Sequence, residues 1–174
     1  MKDLARYGGC ALGAVLGIYC GAAVLIPVAG VFIFTLIAKR LPMPRLKPFI
    51  GAIAIQFGLG LSMFVGGMYY YNSGGMRVVM LDLIVLAVGL IWLMARPSLI
   101  PVLFLGIYEL IVVVINIDRI SGYQVGSVFH KSLTMIIALR LAAIISLIVG
   151  YRQFRKNETE AAKTELEKAR PDAA

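Results

Sequence analysis

The chain is written as apolar blocks of about twenty residues, set apart by short polar punctuation. A helix rises 1.5 Å per residue, so a block of that length matches the roughly 30 Å hydrocarbon core of a bilayer. The composition agrees. Of 174 residues, 60% are hydrophobic and 15% charged. Soluble domains are nearer half apolar and a quarter charged. A soluble fold would have to bury nearly every helix on all sides, and a chain this short cannot do that. The sequence therefore predicts an all-α, polytopic transmembrane helical bundle over 1–150. A charged, partly helical cytoplasmic tail follows over 151–174.

Five apolar segments are legible. The first, Tyr7 to Ala38, would be about 48 Å long as a helix. That is too long for one upright span and too short for two with a turn. A single tilted helix, kinked near Pro27, fits best, with a re-entrant hairpin as the alternative. The basic residues Lys2 and Arg6 suggest a signal peptide, but the apolar run is far longer than a signal core, and it reads as a retained span. The other segments are Phe49 to Tyr71, Val78 to Ala95, Leu99 to Ile117 and Ser132 to Gly150. Between them lie KRLPMPRLKP (39–48), the tight turn NSGG (72–75), RPS (96–98) and DRISGYQVGSVFHK (118–131). Ser98 suits the N-cap of the fourth helix. Asn157 with Glu160 has the spacing of a capping box, which predicts a separate helix start in the tail.

Net charge is +8, but the lysines and arginines sit in particular loops, so they point to membrane orientation rather than to nucleic acid. With five spans, the 39–48 loop, Arg96 and the start of the tail share one side and carry eight basic residues. The other side carries five: Lys2, Arg6, Arg77, Arg119 and Lys131. The positive-inside rule then puts the C-terminus in the cytoplasm, in a plasma or inner membrane.

Small residues recur every four positions on three helices: Gly9, Gly13, Gly17 and Gly21; Ala54, Gly58, Ser62 and Gly66; and Thr134, Ala138, Ala142, Ser146 and Gly150. A four-residue step keeps them on one face, where small side chains let helix backbones approach in lipid. They predict close packing inside the bundle, or a homo-oligomer or membrane-protein partner docked on the first helix.

Charged residues inside a span are costly. One alone at the midplane costs roughly 2.5–3.5 kcal/mol on insertion scales. Arg140 lies ten residues before Gly150, and Glu109 ten after Leu99. On antiparallel, sequence-adjacent helices the two fall at the same depth, about 15 Å from one edge. Asp82 lies about 20 Å from that edge, within reach of a long arginine side chain. Gln56 and Asn116 extend the series inward and outward. Glu109, Arg140, Asp82, Asn116 and Gln56 thus form a predicted intramembrane polar centre. Two carboxylates against one arginine leave a surplus negative charge, which in a low-dielectric site invites a proton.

The windows IAIQFGLGLSMFVG (53–66) and IALRLAAIISLIVG (137–150) align Gln56 with Arg140 and share five identical residues of fourteen. They suggest an inverted repeat around the third helix, though chance resemblance between apolar helices is a competing explanation. His130 reads as an exposed loop residue. Cys10 and Cys20 stand about 15 Å apart along one helix and cannot pair.

No HExxH, P-loop or Gly-x-Ser-x-Gly motif is present, and no nucleophile is placed beside the acids. The sequence thus predicts no enzyme, cofactor or metal. The expected function is a small transporter or channel built on the polar centre. The alternative is a non-catalytic membrane subunit or assembly factor that packs through its small-residue stripes.

Overall fold

The computed structural model describes residues 15–40, 44–70 and 73–168. Within them are five helices long and apolar enough to cross a membrane, and no strand. The fold is the all-α five-span bundle expected from the apolar blocks.

The first span runs over Val15–Ala38 as one crossing. It is helical from 15 to 20, tightens into a 3-10 turn at Gly21–Val24, and continues as helix α1, Leu25–Arg40. The irregularity falls just ahead of Pro27, at Gly21, whose φ of +64° suits glycine. Pro27 itself sits in the first turn of α1, where its missing N–H costs no helical bond. A 3-10 turn at Pro44–Phe49 leads into α2, Ile50–Tyr70. Helix α3 is Ser73–Ala95 and ends at Arg96, because the residue before Pro97 is driven out of the helical region. Helix α4 is Leu99–Ile120, and α5 is Val128–Lys168.

Several expected boundaries move. The described part of NSGG is not a separate tight turn: Ser73, Gly74 and Gly75 open α3, and Asn72 lies outside the described residues. Ser98 occupies the N-cap position of α4 in extended conformation, without a side-chain capping bond. Helix α5 starts a turn early because the Ser127 hydroxyl accepts the His130 N–H, an N-cap bond to the third helical residue. The predicted second helix start at Asn157 does not occur. Helix α5 continues unbroken through it for 41 residues, about 61 Å. Extending an existing helix avoids a new nucleation, and the exposed pairs Arg155–Glu158 and Lys156–Glu160 support it at i,i+3 and i,i+4 spacing.

Helices α2, α3, α4 and α5 form a closed ring in which each packs on the next and α5 returns to α2. The first span lies outside that ring. Helix α1 packs against α2, and Tyr19 reaches the start of α5. Helix α2 is the most enclosed, with 50% of its span buried against 11% for the first span. The core joins Phe49, Ile53 and Leu59 to Leu86 and Leu93 of α3, Val102 and Leu105 of α4, and Leu147 and Phe154 of α5.

Two of the small-residue stripes explain close approaches. A Cβ on Gly30 would stand 2.6 Å from the Gly58 Cα, so α1 and α2 cross backbone to backbone there. Ala54 and Ser62 are buried on the same helix. On α5, a Cβ on Gly150 would stand 2.7 Å from the Pro48 carbonyl oxygen. Ala138, Ala142 and Ser146 are only half-buried, flanking a buried face of Met135, Arg140, Ala143 and Leu147. Among the described residues, a Cβ on Gly17 or Gly21 would meet nothing within 4 Å. Gly9, Gly13 and Cys10 lie outside the described residues, as do the surroundings of Gly66.

His130 is not in a loop. It lies in the first turn of α5, half-buried, with Nδ1 2.8 Å from the Tyr19 hydroxyl. Beside it, the Cys20 thiol donates to the Lys131 carbonyl at 3.3 Å. These contacts tie the start of the first span to the start of α5, and Gly150 meets Pro48 at the opposite end. Over its described residues, 15–38, the first segment therefore runs as one crossing rather than folding back.

Candidate functional site

The site grows from the buried face of α4. Pro101, Val102, Leu105, Glu109, Val113 and Asn116 are buried, and their three- and four-residue steps trace a single stripe. Glu109 stands in the middle of that stripe and is 0% exposed. Helix α5 runs antiparallel beside α4 and brings Arg140, also 0% exposed, to the same level.

Arg140 is the hub. Its Nη1 donates to Glu109 Oε2 at 2.5 Å. Its Nη2 donates to Asp82 Oδ2 on α3, and lies 3.5 Å from the Met63 sulfur on α2. One guanidinium thus touches a residue on every other helix of the ring. Arginine suits this place because its planar fork carries several donors and keeps its charge.

Asp82 is half-buried, with its side chain 13% exposed. Its second oxygen, Oδ1, accepts the Tyr108 hydroxyl at 2.5 Å. Tyr108 is a site residue that sequence reasoning missed. Its neighbour Glu109 drew the attention, although a phenol inside an apolar span also needs a hydrogen-bond partner. Met63 was missed as well, since a thioether in an apolar helix gives no sign of contacting a cation.

The remaining predicted members stand apart from this contact set. Gln56 is 1% exposed on α2, seven residues and so two turns from Met63. Asn116 is buried on α4, two turns beyond Glu109. The structure therefore brings Arg140, Glu109 and Asp82 into contact and leaves Gln56 and Asn116 on flanking levels. Gln56 and Arg140, which occupy matching places in the two similar windows, are both fully buried.

Among the described residues, four buried polar atoms have no hydrogen-bond partner: Glu109 Oε1, Arg140 Nε, and both amide atoms of Gln56. Buried polar groups are nearly always paired, so two unpaired atoms at the charged centre and two on the flanking Gln56 call for a physical reason.

Nothing matches the chain among family models, curated proteins or solved structures.

The arrangement fixes one permanent cation between two carboxylates inside a ring of four helices. Fully ionised, it carries one net negative charge. It can therefore hold a proton, and it can exchange ion-pair partners if Arg140 swings between its two acids.

Proposed function

We propose that the protein is a small membrane transporter or channel whose working centre is Glu109, Arg140 and Asp82. The observation that carries this reading is the surplus acid. A structural ion pair needs one carboxylate, and this centre spends two on one arginine at the level where a charge is most expensive. Ionisable groups at that depth commonly mark ion pathways and proton relays. The reading includes a plasma or inner membrane location with the tail in the cytoplasm, and no catalytic chemistry.

The test is proton flux into liposomes that hold the purified protein and an entrapped pH-sensitive dye, under an imposed membrane potential. Wild-type protein is expected to pass protons. Glu109→Gln is expected to lose that flux while keeping its helical circular dichroism and its elution volume. Wild-type flux in a folded Glu109→Gln variant would retire the reading.

A second reading, a non-catalytic subunit or assembly factor, draws on the first span. Among the described residues, a Cβ on Gly17 would meet nothing within 4 Å, so that part of the glycine stripe makes no close helix contact there. On this reading Gly17→Leu disrupts a homo-oligomer or a complex with another membrane protein, seen as a smaller species by size exclusion in detergent. An unchanged species after the substitution counts against it.

A further inference from the structure

We infer that the proton balancing the polar centre sits on Glu109 Oε1 and exchanges through water held by the Gln56 amide, while Asp82 serves as the fixed counter-ion of Arg140. The inference rests on the reading of Glu109, Arg140 and Asp82 as one buried centre.

The two acids are not equivalent. Both oxygens of Asp82 accept from donors, one from the Tyr108 hydroxyl and one from Arg140. A proton added to Asp82 would weaken both of those bonds, because the neutral acid is a poorer acceptor than the carboxylate. Glu109 accepts from Arg140 through Oε2 alone. Its Oε1 is buried with no donor, and an unpaired carboxylate oxygen in a low-dielectric interior is expensive. A proton there turns an acceptor without a donor into a donor. The charged and titratable groups around Glu109 are Arg140 from α5, Asp82 from α3 and Tyr108 from its own helix. Helix α2 adds only the neutral Met63 and Gln56.

The new donor then needs an acceptor, and Gln56 points to it. Gly60 and Met63 lie one and two turns beyond Gln56 on the same face of α2. Gly60 faces Leu83 of α3, and Met63 contacts Arg140 of α5. The Gln56 face therefore looks into the seam between α3 and α5 that holds the centre. Phe49, the residue just ahead of α2, stands level with Gly150 on α5. Counting along both antiparallel helices puts the Gln56 backbone level with Ala143, about 5 Å along the axis from the Arg140 backbone. The unpaired atoms include donors, the Gln56 Nε2 and Arg140 Nε groups, and acceptors, Gln56 Oε1 and Glu109 Oε1. A bare cation or anion would satisfy only one kind. Water donates and accepts, and buried water characteristically serves such groups. In the proton exchange, the Oε1–H bond breaks as its proton passes to the water beside Gln56, and the hydronium so formed returns one of its three protons to Oε1, restoring both acid and water. No other bond changes.

The test uses infrared spectra of the wild-type protein in lipid nanodiscs near neutral pH, made with either side-chain ¹³C-carboxyl glutamate or ¹³C-carboxyl aspartate. Glu109 is the only glutamate within the spans. The C=O stretch of a protonated carboxyl is expected to shift with labelled glutamate and to stay in place with labelled aspartate. A shift with aspartate instead, or no protonated-carboxyl band at all, overturns the assignment. Gln56→Leu tests the water. It is expected to move the band toward that of a weakly hydrogen-bonded carboxyl and to slow its exchange in deuterated water. An unchanged band and unchanged exchange overturn the water connection. A glutamate band in a protein that carries no flux would retire the transport reading and leave the proton assignment standing. Flux without that band would do the reverse.

Discussion

Arg140→Met, made alone, is expected to cost about 3–5 kcal/mol of folding stability, the range for removing one partner of a buried ion pair. The substitution keeps much of the side chain's length, so packing changes little. What changes is the electrostatics. Glu109 and Asp82 are left near each other with no cation, at a depth where either alone is costly. The measurement is equilibrium unfolding in mixed lipid–detergent micelles, followed by helical signal. The companion variant carries Arg140→Met with Glu109→Gln and Asp82→Asn. It removes every charge of the centre together and is expected to recover most of the loss, because replacing a whole buried ionic group by neutral residues is often tolerated. If Arg140→Met is as stable as wild type, the guanidinium is not the link between the helices of the ring.

The second large effect is steric. Gly58→Ala adds a single methyl group, but that methyl would run into the Pro27 carbonyl oxygen and stand 3.0 Å from a Val31 methyl carbon. The obstruction is backbone, which cannot rotate away as a side chain can. An overpacked site of this kind costs typically about 1–3 kcal/mol. Gly30→Ala meets the Gly58 Cα from the other side and is expected to behave alike. Gly106→Ala supplies the contrast, since a Cβ there meets nothing within 4 Å. Its expected effect is near zero, or slightly favourable from the better helix former. Equal stability of Gly58→Ala and Gly106→Ala in the same unfolding assay would mean that α1 does not cross α2 at Gly58.

The two variants probe different halves of what could be read in advance. The meeting of Arg140 with both acids was legible because helix rise is fixed and each charge can be counted from the end of its apolar block. The α4 stripe was partly legible for the same reason, since Glu109 and Asn116 stand seven residues apart, two turns along one face. The partner of Gly58 was not. Nothing in VLIPVAGVFIF singles out Gly30 as the contact point, because that depends on how two helices rotate about their own axes. Tyr108 and Met63 escaped likewise. Each becomes part of the site only through a neighbouring helix. Asn157 misled for a different reason: a capping signal starts a helix only where none is already running.

The sequence by itself determined that this chain is five apolar helices and that its buried charges share a level. Both follow from distance along the chain, through the length of each block and the 1.5 Å step of the helix. Only the tertiary structure decided which faces turn inward, that four helices close around Arg140 while the first stays outside, and that both oxygens of Asp82 have a donor where only one of Glu109 does. Those depend on rotation about each helix axis. In lipid, apolar side chains gain little from choosing one direction over another, so the rotation is set by close backbone contacts and by a few polar groups finding one another.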